Sequence, residues 1–127
     1  MKVMVDTSVL IDLDTGYRPT LERFVSLKEL SPTLPSISFM AYYEFIHGLR
    51  KRNPKNREKS LAFIQEFVIV HTTLQTAAVL SLLKERYPSC SLADLFIAAQ
   101  AIENGMMLVT RDLDFEKIAE LDKIILS

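Results

Sequence analysis

The sequence predicts an α/β fold, a three-layer α/β/α sandwich around a central, mainly parallel β-sheet. Short apolar runs alternate with longer segments of helical periodicity, which is the order of elements in such folds. The first run, Val3-Met4-Val5, is apolar at every position and lacks the alternation of a strand with one wet face. We expect it in the interior of the sheet, with Asp6 at its carboxyl end, where parallel sheets bind ligands. Asp6 or Thr7 can equally serve as a cap for the next helix.

Length and composition indicate one globular domain over residues 1–127. Hydrophobic residues make up 49% of the chain and charged residues 24%, which excludes a disordered protein. The net charge of −1 argues against bulk attraction to nucleic acid, so a polyanionic partner would need a local basic patch or bound cations. A lone cysteine, no leader peptide and no apolar run of about 20 residues together predict a cytoplasmic protein.

The first half of the chain predicts helices on either side of a second strand. A short helix should follow Asp6, and a second helix should begin near Pro19, with apolar residues at helical spacing. Residues 31–35 are rich in turn formers, and residues 34–37 fit a brief strand with a proline at its start.

A long helix is then predicted from Ser38, its expected N-cap, and it carries Glu44. Ala41 and Gly48 are helical neighbours of Glu44 and leave space around its carboxylate. This is typical of an acid that faces a cleft, and a surface glutamate among small residues has the same pattern.

Positive charge is concentrated at residues 50–59, where Pro54 is expected to begin another helix. Such a run is either a solvated face or an arm that contacts phosphates. Val68-Ile69-Val70 is a third predicted strand, and the helix expected over residues 74–87 is apolar nearly all round, which predicts that much of it is buried.

Asp94 lies on the next predicted helix. Its spacing from Ser91 is that of a capping box. It also shares a helix face with Ile97, Ala98 and Ala101, and a carboxylate on such an apolar face needs a partner or a cation.

The end of the chain predicts two more strands, at residues 106–109 and 123–126. Asp112 follows the first of them closely. Asp114 is expected to be the N-cap of the short helix between the strands, which would leave Asp112 free for other contacts.

Four acids are therefore expected in one crevice, two at strand ends (Asp6 and Asp112) and two on helices (Glu44 and Asp94). Neighbouring carboxylates raise each other's pKa, so the arrangement calls for a divalent cation. Oxygen ligands suit Mg²⁺ or Mn²⁺, and the lack of a Cys/His cluster argues against zinc. Such ions support phosphodiester hydrolysis.

Four motifs in this order resemble PIN-domain ribonucleases of the VapC toxin type: Val5-Asp6-Thr7-Ser8, Glu44 in a helix ending near Gly48, Ala93-Asp94-Leu95-Phe96, and Thr110-Arg111-Asp112 followed by Asp114-Phe115. The resemblance implies a PIN-like fold, a homodimer, metal-dependent cleavage of RNA, and inhibition by a cognate antitoxin protein.

By position, the resemblance also implies a role for each site residue. The metal-binding and catalytic acids would be Asp6, Glu44, Asp94 and Asp112. Ser8 or Thr7 would hold the site by hydrogen bonds, and Arg111 would contact substrate or antitoxin. Asp114 is close enough in sequence to take the role of Asp112.

Other functions stay open at this point. An aspartyl-phosphate phosphatase needs a second aspartate where this chain has Ser8, which argues against that class. A dimeric module that binds nucleic acid or antitoxin without catalysis, or a housekeeping RNA-processing nuclease, could carry the same acids. Tyr42 and Tyr43 can stack on bases, although their helical spacing also predicts that at least one of them packs in the core. Glu44 and His47 form a single Glu-x-x-His pair, too little for a di-iron site.

Overall fold

The computed structural model describes residues 2–29 and 34–126. These residues form a five-stranded, fully parallel sheet of order β3-β2-β1-β4-β5. The strands are β1 Val3–Val5, β2 Ser36–Ser38, β3 Val68–Val70, β4 Met107–Thr110 and β5 Lys123–Ile125. The helices are α1 Thr7–Thr15, α2 Arg18–Lys28, α3 Phe39–Leu49, α4 Pro54–Ile64, α5 Leu74–Arg86 and α6 Leu92–Glu103, with a 3₁₀ helix at Leu113–Lys117.

The strand order contains one reversal, and it lies between β1 and β4. From β1 the chain moves outward to β2 and β3, and then returns to place β4 on the other side of β1. Right-handed connections running in opposite directions put their helices on opposite faces of the sheet, which gives the predicted three layers. A crevice opens at the carboxyl ends of the strands where the direction reverses. Asp6 and Asp112 both lie there.

The interior position predicted for β1 is confirmed. Val3, Met4 and Val5 are all buried, and Met4 is paired with Ser36 on one side and with Leu108 on the other. A strand covered on both faces and flanked on both edges has no wet side, which explains its unbroken apolar sequence.

Polar caps fix where the helices of the first half begin. The Ser38 hydroxyl accepts a hydrogen bond from the Ala41 amide at 2.9 Å, as expected for the cap of α3. Asn53 caps α4 in the same way, and Pro54 occupies its first turn. The predicted second strand starts slightly late, at Ser36, and residues 31–33 of the predicted connector lie outside the described residues.

The prediction that α5 is largely buried is wrong. Leu74 is 93% exposed and Leu82 is 59% exposed, whereas the buried residues of α5 are Thr76 and Leu83. Among the described residues the helix packs mainly against α6, and the side that carries Leu74 and Leu82 is left exposed. In the described part of the chain, no helix combines the length and the apolar character that a membrane span requires.

Candidate metal centre

Asp6 is fixed at the end of β1 through both carboxylate oxygens. It is 3% exposed and caps α1, where one oxygen accepts hydrogen bonds from the Ser8 amide at 2.5 Å and the Ser8 hydroxyl at 2.8 Å. The other oxygen accepts a hydrogen bond from the hydroxyl of Thr110, the last residue of β4. Asp6 is therefore both the helix cap and an acid of the crevice, and the two interpretations of the sequence are compatible.

Thr110 also positions Asp112. Its hydroxyl oxygen accepts a hydrogen bond from the Asp112 amide at 3.0 Å, so one side chain links the first and last acids of the site. Thr110 was part of a motif but was not among the predicted site residues. The available signal was its place at the carboxyl end of a strand, two residues before a candidate acid.

The cap predicted for the last short helix is misplaced by two residues. The 3₁₀ helix starts at Leu113, and its N-cap is Asp112, whose carboxylate accepts a hydrogen bond from the Asp114 amide at 2.9 Å. The prediction that Asp114 is the cap and Asp112 is free is therefore wrong. Only Arg111 and Asp112 separate β4 from the 3₁₀ helix, so the earlier aspartate occupies the cap position.

Three carboxylates meet in front of the strand ends. One oxygen each from Asp94, Asp112 and Asp114 lies within 4.8 Å of the others, and in residues 2–29 and 34–126 this is the one such set of metal-ligating groups. Ligands of Mg²⁺ lie about 2.1 Å from the ion, so oxygens on opposite sides of it are about 4.2 Å apart. The donor type and spacing fit a hard divalent cation.

The electrostatics of these acids also fit a cation. Burial raises the pKa of Asp94 to about 6, and the charges of Asp112, Asp6 and Asp114 add to the effect. Burial likewise raises the pKa of Asp6, against the hydrogen bonds from Thr110 and Ser8 that favour its charged form, and the charge of Asp112 raises it further. The acids therefore oppose each other's ionisation, and a bound cation would relieve that opposition.

Glu44 lies outside this set of three but is connected to Asp6 through Thr7, the residue that follows Asp6. The Thr7 hydroxyl donates a hydrogen bond to Glu44 at 2.7 Å, and Thr7 is the first residue of α1. This bond ties the middle of α3 to the start of α1 beside Asp6. Thr7 and Ser8 thus hold different acids.

Arg111 points along α1 and away from the three carboxylates. Its amide donates to the Ser8 hydroxyl at 3.3 Å, and its guanidinium lies 2.7 Å from Asp12 and 5.0 Å above the ring of Tyr17. Asp12 also accepts a hydrogen bond from Thr20 at 2.7 Å. In this arrangement Arg111 joins the β4 loop to α1 and α2, a link that sequence spacing could not predict.

A family model described as PIN domain matches residues 3–121. The fold is similar to that of a chain in the crystal structure of VapBC2 from Rickettsia felis bound to a DNA fragment from their promoter, with a TM-score of 0.86, 19% identity and 100% coverage of both chains. It is also similar to a chain in a toxin–antitoxin complex from Klebsiella pneumoniae, with a TM-score of 0.82, 24% identity, and coverage of 99% of this chain and 98% of that one. DNA-bound VapBC from Salmonella typhimurium matches with a TM-score of 0.80, 24% identity and coverage of 100% and 99%. No curated protein has a significantly similar sequence.

The substitution Asp94→Asn is expected to stabilise the metal-free protein at neutral pH. Because the pKa of Asp94 rises from 3.8 to about 6 on folding, its contribution to stability is full below about pH 4 and is lost as the pH rises through about 6. That difference corresponds to about 3 kcal/mol. Solvent screening of this half-buried group, and the favourable position of an acid in the first turn of α6, reduce the net gain in the variant to about 1 kcal/mol.

Thermal unfolding in EDTA, followed by circular dichroism, measures this effect. The variant should melt about 3–6 °C above the wild type near pH 7.5, and the two should nearly coincide near pH 4. Asp122→Asn makes the same chemical change at an exposed acid and serves as the control. An Asp94→Asn protein that melts below the wild type near pH 7.5 would contradict the prediction.

Proposed function

The chain belongs to the PIN-domain family, and from that membership we propose that it is a metal-dependent endoribonuclease that hydrolyses RNA phosphodiester bonds. The observation that supports this most directly is the meeting of the Asp94, Asp112 and Asp114 carboxylates beside buried Asp6 at the edge of a parallel sheet. Phosphodiester hydrolysis by oxygen-liganded Mg²⁺ or Mn²⁺ requires a cluster of this kind.

In this proposal Asp6, Glu44, Asp94 and Asp112 would hold Mg²⁺ or Mn²⁺. The bound ion would neutralise the phosphate and lower the pKa of an attacking water. The hydrogen bond from Thr7 would keep the Glu44 carboxylate oriented on α3. Ser8 and Thr110 keep the Asp6 carboxylate oriented.

We further propose that the protein is the toxin of a toxin–antitoxin pair, acting as a homodimer in the cytoplasm and restrained by a cognate antitoxin. The similar folds in VapBC and toxin–antitoxin complexes support this assignment. The whole of residues 1–127 would then be one nuclease domain.

Purified protein, free of any antitoxin, should cut a labelled single-stranded RNA in Mg²⁺ or Mn²⁺ and not in EDTA. Asp94→Asn should lower the cleavage rate by about 100-fold or more, because a metal-binding carboxylate is lost. Asp122→Asn, at a distant exposed position, should cut at the wild-type rate. Retained cutting by folded Asp94→Asn would contradict the assigned site. No cutting under any condition, with no metal binding by calorimetry, would favour a binding module without catalysis.

Asp112 should matter more than Asp114 for metal binding. The charge of Asp112 raises the pKa of both Asp6 and Asp94, and its effect on Asp94 is larger than that of exposed Asp114. Titration calorimetry with Mn²⁺ should show about a tenfold or greater loss of affinity in Asp112→Asn and a smaller loss in Asp114→Asn. Asparagine is also a good N-cap, so the 3₁₀ helix is retained. The reverse order of the two losses would make Asp114 the fourth acid.

Induced expression in a bacterial host should stop growth, and Asp94→Asn expressed to the same level should not. The reason is that unrestrained cleavage of cellular RNA depends on the metal-binding acids. Optical density and viable counts after induction give the measurement. Normal growth in the presence of wild-type protein that cleaves RNA in the extract would contradict the toxin assignment and favour a housekeeping nuclease.

A further inference from the structure

An exposed row of three side chains runs along α3 from the acid site. Tyr43, His47 and Arg50 share one helix face because they are four and three residues apart. The rings of Tyr43 and His47 are stacked, with centroids 5.6 Å apart and planes at 17°, and Arg50 hydrogen-bonds Nε2 of His47. Glu44 and His47 are neighbours one turn apart, so the row begins beside the acid that Thr7 holds.

Positive charge continues from this row into the basic segment, residues 50–59. The segment holds one acid, Glu58, and six cations, Arg50, Lys51, Arg52, Lys55, Arg57 and Lys59. Its net charge is +5 in a chain of net charge −1, so the remaining residues together carry −6.

One cation of the basic segment is paired and serves as an anchor. Arg52 lies 2.6 Å from Asp14 at the end of α1, and the Ser60 hydroxyl donates to the same carboxylate oxygen at 2.7 Å. Within residues 2–29 and 34–126, the other five cations of the segment form no ion pair. The anchored arginine fixes the segment. Four of the other cations, Arg50, Lys51, Lys55 and Lys59, are exposed and can meet a polyanion.

The acids and the basic segment lie at opposite ends of α1. This helix begins beside Asp6 and contains nine residues, which corresponds to about 13 Å at 1.5 Å per residue. Stacked nucleotides advance about 3.4 Å each, so about four of them cover this interval. An open depression of about 450 Å³, lined in part by Arg52 and Lys59, lies at the far end.

We propose that the Tyr43–His47–Arg50 row and the basic segment form a track for single-stranded RNA, with a base stacked on Tyr43 and phosphates on the lysines and arginines. This inference rests on the proposed nuclease function. Stacking on an aromatic ring combined with cations along the backbone is how single strands are bound without regard to sequence. An acidic polypeptide would meet the same cations but has no base to stack on Tyr43, so the row favours RNA.

Fluorescence anisotropy of a labelled single-stranded RNA tests the track in EDTA, on the Asp94→Asn background, where the RNA is not cut. In Lys51→Gln/Lys55→Gln the slope of log affinity against log salt should fall by about 1.4, because each phosphate contact on a single strand contributes about 0.7. Tyr43→Leu should weaken binding about tenfold with an unchanged slope, since stacking carries no charge.

Lys2→Gln/Lys28→Gln is the matched control, because it removes the same charge from exposed lysines outside the track. An unchanged slope in the Lys51/Lys55 variant, or an equal fall in the control, would overturn the proposal. So would competition by polyglutamate as effective as that by RNA of equal charge, which would indicate an acidic protein partner. A change of oligomeric state in Tyr43→Leu, seen by size-exclusion chromatography, would make Tyr43 a subunit contact and overturn the stacking.

Cleavage by the wild-type protein in Mn²⁺, measured in parallel, separates this proposal from the nuclease assignment. If the wild-type protein cuts RNA but the salt slope of binding is unchanged in the Lys51/Lys55 variant, the track proposal is wrong and the nuclease assignment stands. If the variants show the expected binding pattern but the wild-type protein does not cut RNA, the nuclease assignment is wrong and the binding track stands.

Discussion

Holding the charge of Asp6 at the end of a fully buried strand is the constraint on which the rest of this structure depends. A carboxylate at 3% exposure is costly unless every oxygen has a partner. Ser8 on α1 donates hydrogen bonds to one Asp6 oxygen, and Thr110 on β4 donates a hydrogen bond to the other. The hydrogen bond from Thr110 to Asp6 therefore also joins the first strand to the fourth, at the crevice where the other acids lie.

The site brings together carboxylates that repel one another. Four aspartates from β1, α6 and the loop after β4 converge, and burial together with mutual repulsion keeps the pKa of Asp94 well above its usual value. Apolar packing has to offset the free-energy cost of bringing these acids together. Strand β1 and helix α6 supply that packing, and Leu95, Ile97, Ala98 and Ala99 of α6 are all fully or nearly fully buried. Stability and a charged crevice oppose each other here, as they do in many functional sites.

Local chemistry explains why much of the fold could be predicted and why some of the site could not. The position of β1 and the start of α3 follow from an apolar run and a capping serine, both of which lie within a few residues of sequence. The cap at Asp112 was misassigned because two aspartates two residues apart offer the same local signal, and the short distance from β4 to the 3₁₀ helix decides between them. Links such as Arg111 to Asp12 join residues 99 positions apart, and no single-sequence pattern reports them. The exposure of α5 was missed because its Ala and Leu residues also favour helix formation on a surface.

The pairing of β1 with β4 has a consequence for the order in which the molecule is made. Asp6 and Thr110 are 104 positions apart, and β1 cannot acquire its second neighbour until β4 has been made. Long-range parallel pairing of this kind is slow to form, and a growing chain emerges from its N-terminus first. A nascent chain on the ribosome thus carries Asp6 without the other half of its site. Assembly of the acidic crevice is therefore delayed until β4 and the residues that follow it have been made.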